Sequence, residues 1–146
     1  MKRKQMAYLL CFCLVGLCAV GCNQAGGMET LQYEVVKHET GDFMVEFRIE
    51  QAEEGIFLLD VMKQAQTKDE ITLEVDATEM VTAIDGRAND VDFDPCWMLY
   101  TTDEEMSNTQ WGTVTLNGVT LGSAVVGAAT LEIVEGECYV WVYQTF

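Results

Sequence analysis

The chain has 146 residues, with 24 acidic against 8 basic side chains and a formal net charge of −16. A field of that sign repels phosphate backbones and anionic head groups, which excludes nucleic acid and acidic lipid surfaces as partners. Hydrophobic residues make up 49% of the chain, too many for a disordered acidic segment, so a folded core is expected.

Met1 to Lys4 form a basic stub and Met6 to Val20 an apolar stretch that stops at Gly21-Cys22. The stretch is shorter than the roughly 20 residues of a membrane span, and the pattern predicts a signal peptide over 1–21. Ala19-Val20-Gly21-Cys22 resembles the lipobox of bacterial lipoproteins, with Ala19 where leucine is usual. The resemblance implies cleavage before Cys22 and a lipid on its thiol, hence an extracytoplasmic domain anchored to the membrane at the cell surface. An ordinary secretory cut near Gly21 and an uncleaved anchor are the alternatives. Residues 22–29 read as a short polar tether carrying Gly26-Gly27, and 30–146 as a single domain.

Within that domain Tyr33 and Val35 begin a strand pattern that Gly41-Asp42 interrupts. Phe43, Val45, Phe47 and Ile49 then recur at period two, with Glu46, Arg48 and Glu50 assigned to the solvent face. Gly55 to Gln66 repeats its apolar residues at three and four and predicts the one helix. Ile71, Leu73 and Val75 alternate again, and Val81 to Ile84 leads into the turn dipeptide Asp85-Gly86. Strand character resumes over Trp97 to Thr101. Thr102 to Gln110 reads as an acidic loop. Trp111 to Leu116 runs into Asn117-Gly118, a hairpin signal requiring positive φ at both residues. Gly122 to Ala129 reads as a loop and Tyr139 to Tyr143 as the last strand. One helix among many short strands predicts an α+β domain, a mostly antiparallel sheet packed on a helix.

The order of Leu59-Asp60, Thr82-Ala83-Ile84-Asp85-Gly86, Cys96-Trp97-Met98-Leu99-Tyr100, Leu116-Asn117-Gly118, Val134-Glu135-Gly136-Glu137 and Val140-Trp141-Val142-Tyr143 resembles the transcobalamin-like C-terminal domain family. The resemblance covers about Phe43 to Phe146. Cys96 stands where the family usually has tyrosine, Glu137 where it has aspartate, and Met106 to Trp111 lengthen the segment before the hairpin. The resemblance implies a β-grasp-like sheet on one helix and a binding module. In vitamin carriers of the family the domain covers one face of a cobalamin while a helical domain holds the other, and in bacterial lipoproteins it stands alone. A lone module makes at most half of a corrinoid site.

Catalytic signatures are scarce. His38 is the only histidine and has no nucleophile beside it in sequence, which reads as a surface histidine. No glycine-rich phosphate loop occurs, and acid pairs are expected by chance at this acidity. The reading is therefore non-enzymatic. Asp90, Asp92 and Asp94 alternate in a loop and could converge on calcium; Pro95 and Thr101 stand where an EF-hand needs glycine and glutamate, so a solvated acidic loop is the alternative. Cys96 and Cys138 are the only cysteines after Cys22, which allows one disulfide outside the cytoplasm, or two free thiols. Trp97, Tyr100 and Trp111 are the candidate ligand contacts. Because Trp97 and Tyr100 fall on opposite strand faces, Trp97 is expected in the core; Tyr100 and Trp111, beside the acidic loop, are the better contact residues, with core packing the favoured reading for Trp111. The expected function is a lipid-anchored binding module for a small ligand, a corrinoid on the family resemblance, or an accessory to a membrane transporter; the alternative is a structural or adhesive surface lipoprotein.

Overall fold

The computed structural model describes residues 30–146. The predicted signal peptide, the tether and the lipidation residue Cys22 lie outside the described residues.

The chain begins with an antiparallel pair, β1 (Gln32–His38) and β2 (Phe43–Gln51), in a register that sets Val35 against Phe47 and Lys37 against Val45. Phe43, Val45, Phe47 and Ile49 are all buried on one face, as their period-two spacing predicts. Helix α1 (Leu58–Thr67) follows; the Asp60 carboxylate accepts a hydrogen bond from the backbone N of Phe57 at 3.2 Å and so serves a first-turn donor. Leu58, Leu59, Val61, Met62 and Ala65 form its buried stripe and share one core with that face of β2.

Strands β3 (Leu73–Val75), β4 (Val81–Ile84) and β5 (Arg87–Ala88) make a small antiparallel sheet. Asp85 and Gly86 join β4 to β5 with φ of 49° and 73°, the left-handed backbone that this dipeptide tolerates. The Asp85 carboxylate also accepts from Thr72 N and pairs with Lys37 at 2.7 Å, which ties the small sheet to β1.

Strands β6 (Cys96–Thr101), β7 (Ser107–Leu116), β8 (Val119–Ala124) and β9 (Cys138–Gln144) complete a six-stranded sheet of order β1-β2-β9-β6-β8-β7. Every neighbouring pair in it is antiparallel. The domain is α+β, a mostly antiparallel sheet with one helix among the described residues. The last strand in sequence is an inner strand of the sheet, between β2 and β6.

Asn117 and Gly118 turn β7 into β8 with φ of 51° and 81°, as expected of a two-residue hairpin. The pairing slips between Asn108 and Thr113, where Trp111 and Gly112 sit. The hairpin also curls over the sheet. Leu116, Asn117 and Val119 at its tip share a cavity with Glu46 and Arg48 of β2, although β9 and β6 stand between β2 and β8 in the ladder. Val114 and Leu116 pack there on Tyr100, Leu121, Val140 and Val142, a second apolar cluster on the face away from the helix. Both faces of the central strands are therefore covered.

That covering corrects several sequence expectations. Glu46, assigned to the solvent face, is only 4% exposed, and Arg48 beside it is half-buried. The acidic loop is shorter than expected: a 3₁₀ turn at Glu104–Met106 gives way to β7 at Ser107, because the chain pairs with β8 from there. Gly122 to Ala129 is not wholly a loop, since β8 runs through Gly122 to Ala124 and pairs with both neighbours.

Candidate functional site

The three aromatic candidates do not share a surface. Trp97 is 5% exposed, as expected, held edge-on by Phe43 at 5.9 Å and against Tyr143 at 5.1 Å between ring centroids. Its Nε1 donates to the Arg87 carbonyl at 2.7 Å. Tyr100, expected at the surface, is only 4% exposed, because the curled hairpin lies on it. Its hydroxyl donates to Gln144 Oε1 at 3.2 Å, and a Cβ on Gly112 would stand 3.5 Å from the Tyr100 hydroxyl oxygen, so Gly112 is the close cover. Trp111, next to Gly112 and favoured for the core by its sequence, is instead 64% exposed on the hairpin, where the pairing of β7 with β8 slips.

A groove opens instead on the helix side of β6. Trp97, Leu99 and Trp141 line its floor, Met80, Asn89 and Phe93 one wall, and the chain from Ser123 to Gly127 the other, around about 310 Å³. It exists because the β6–β8 ladder extends over only two pairs, Tyr100 with Ser123 and Thr101 with Gly122. Beyond Ala124 the chain turns away, and Val125 N donates to the Met106 carbonyl. On the opposite side Asn89 acts as a substitute strand: its Oδ1 accepts from Trp97 N at 2.8 Å and its Nδ2 donates to the Val81 carbonyl at 3.1 Å. Trp141 is buried, yet its indole N–H has no hydrogen-bond partner. Met80 and Phe93 on the wall are exposed. An aromatic floor and adaptable apolar walls make this groove the candidate site; the Trp141 nitrogen is itself enclosed.

The acidic loop beside Phe93 does not gather its carboxylates. Asp90 Oδ1 accepts from Asp92 N at 3.1 Å, an Asx turn, and Asp94 Oδ1 accepts from Phe146 N at 3.0 Å. Among the described residues no group of three or more His, Cys, Asp or Glu is arranged to hold a metal ion. Of the three carboxylates considered for calcium, Asp90 and Asp94 accept from backbone donors.

Under the hairpin tip lies a second cavity, of about 250 Å³, bounded by Glu46, Arg48, Thr102, Leu116, Val119 and Cys138. Arg48 forks onto Glu46, Nε to Oε1 at 2.8 Å and Nη2 to Oε2 at 3.0 Å, and reaches Glu34 with Nη1 at 3.1 Å. His38 Nε2 lies 2.9 Å from Glu46 Oε2, so this histidine is a half-buried partner of a buried carboxylate and not a surface residue. Burial alone raises the pKa of Glu46; the hydrogen bonds from Arg48 and His38 and their charges more than offset that and hold it below the ordinary value. Beside it the Cys138 thiol is pushed up, first by burial and then by the charge of Glu46, with Arg48 opposing. A thiol so held stays protonated and is a poor nucleophile.

The expected Cys96 to Cys138 disulfide is absent, and both cysteines are free. Register explains why. On the adjacent strands β6 and β9, Cys96 faces Gln144 and Cys138 lies at the far end of β9. Six residues of extended chain separate Gln144 from Cys138, about 20 Å, against the ~7 Å limit between Cα atoms of a disulfide.

Neither Tyr100 nor Trp111 lines the groove, and sequence reasoning missed Trp141, Asn89 and Phe93. Trp141 carried the only available signal, an aromatic on the final strand in alternation with buried valines. Comparisons with models of protein families, with curated proteins and with solved structures give no match.

Proposed function

We propose that this chain is a lipid-anchored, extracytoplasmic, non-enzymatic binding module that takes its ligand in the groove over Trp97, Leu99 and Trp141. The observation that supports the reading is the open groove of about 310 Å³ floored by Trp97, Leu99 and Trp141 and walled in part by the exposed side chains of Met80 and Phe93.

The sheet coiled against one helix is compatible with a β-grasp-like arrangement and with the family resemblance carried by the Ile84-Asp85-Gly86 and Asn117-Gly118 turns. On that resemblance a corrinoid is one occupant; a groove of about 310 Å³ would take the edge of such a macrocycle and not its whole face. Docking to a membrane transporter is the other role. The anchor rests on Cys22 and its preceding residues.

The test is a thermal-shift titration of the full chain with cobalamin, with Trp97→Phe and Phe93→Ala as groove variants. A ligand at 100 times its Kd adds about 2.7 kcal/mol. A shift that the variants weaken supports the reading; a shift that they leave unchanged moves the site elsewhere. Metabolic labelling with a fatty acid that survives Cys22→Ala would remove the anchor. The adhesive alternative is favoured by one observation, the exposed Trp111 on the hairpin, and predicts that Trp111→Ala lowers cell-surface attachment.

A further inference from the structure

The loop that carries Phe93 of the groove wall bears further exposed apolar side chains. Val91 is 89% exposed and Phe146 72%, and Met80 and Phe93 are also open to solvent. Phe146 is held beside this loop by its backbone N on Asp94. Along Asp90-Val91-Asp92-Phe93-Asp94 carboxylates and apolar side chains alternate. No lysine or arginine lines the groove among the described residues, and Arg87, on the nearest strand, stacks its guanidinium over Phe43 at 3.8 Å.

Two needs follow for whatever binds here. It must cover apolar surface in and beside the groove, and match the carboxylates of the loop that carries Phe93. A single extended peptide supplies both: apolar side chains, and lysine or arginine between them. We infer that the occupant of the groove is a basic and apolar peptide segment of a partner protein, seated over Trp97, Leu99 and Trp141 with its cations toward the Asp90 to Asp94 loop. This rests on the groove being the binding surface. The two-pair ladder between β6 and β8 leaves room for the segment between Leu99 and the chain from Ala124 to Gly127.

The experiment uses the full chain in a neutral detergent and follows the fluorescence anisotropy of labelled peptides. The probes are a short alternating leucine and lysine peptide, its leucine and glutamate counterpart, and labelled cobalamin. The lysine peptide binds, its affinity falls about tenfold or more at high salt and with Asp92→Asn combined with Asp94→Asn, and Val126→Trp or Phe93→Ala weakens it. The glutamate peptide does not bind. Equal binding of the two peptides, or lysine-peptide binding that the groove variants leave untouched, overturns the inference. Cobalamin that binds and is lost in the groove variants, with no peptide bound, overturns it while leaving the groove as a ligand site. If no probe binds, both fall. Circular dichroism of each variant identifies any that fail to fold, and the Asp92 and Asp94 substitutions, which keep an acceptor oxygen, stand as the milder test.

Discussion

Arg48 and Glu46 lie two residues apart on β2, on the same face, and the arginine holds the carboxylate through two parallel hydrogen bonds beneath the β7–β8 hairpin. The pair is asymmetric: the Glu46 side chain is 5% exposed and that of Arg48 37%. Removing the exposed partner strands the buried one. Arg48→Met is expected to cost about 2 kcal/mol, less than a fully buried pair would because water already reaches the guanidinium, as measured by urea unfolding. Arg48→Lys recovers only part, since an ammonium cannot reproduce the fork.

The same pair sets an acid limit. The native pKa of Glu46 is lowered from 4.5, so its contribution is full above that value and is lost as pH falls through the lowered native pKa. The melting temperature should fall below about pH 4.5, and in Arg48→Met this acid limb should flatten. An Arg48→Met limb as steep as the parent's would assign the acid sensitivity to other carboxylates.

Both thiols of the domain should label without reduction. Iodoacetamide added in denaturant modifies Cys96 and Cys138 with no reductant present, and reductant leaves the melting temperature unchanged. In the folded domain both react slowly at pH 8, because burial pushes each thiol above its ordinary 9.0. Mass spectrometry before and after alkylation measures both.

Two glycines of the hairpin should respond differently to alanine. At Gly118, φ of 81° is unfavourable for an L residue but a Cβ would meet nothing within 4 Å, so the cost is backbone strain of about 1 kcal/mol. At Gly122 a Cβ would stand 3.0 Å from the Cβ of Ser107 and 3.2 Å from its Oγ. There β8 must move against β7, and Gly122→Ala should cost more than Gly118→Ala in thermal unfolding.

Trp97 and Trp111 should separate stability from surface chemistry. Trp97→Ala empties a core site and loses the indole hydrogen bond to Arg87, at about 3 to 5 kcal/mol. Trp111→Ala stays within about 0.5 kcal/mol and leaves groove binding unchanged. A large loss at Trp111 would mean that the hairpin's outer face is packed.

Local pattern carried the elements well where one face meets one core. The alternation of Phe43, Val45, Phe47 and Ile49 and the turns at Asp85-Gly86 and Asn117-Gly118 are short-range signals, and each appears where expected. What local pattern could not carry is the second cover of the sheet. Tyr100, Glu46 and Arg48 sit on the face that alternation assigns to water, and only the curl of a hairpin from elsewhere in the chain buries them. The disulfide expectation failed for a related reason: two cysteines fit a bridge by count, and only strand register reveals their separation. The groove is equally non-local, since it marks where β8 stops pairing with β6.

The inner position of β9 has a consequence for how the protein is made. The pair β1–β2 and the group β6–β8–β7 meet in the ladder only across Cys138–Gln144, which leaves the ribosome after both. Until then the nascent chain carries two open ladder edges, on β2 and β6, that nothing synthesised so far can close. A fragment cut short before Cys138 keeps those edges permanently and is a template for association with other chains, so for this domain premature termination threatens aggregation as well as loss of function.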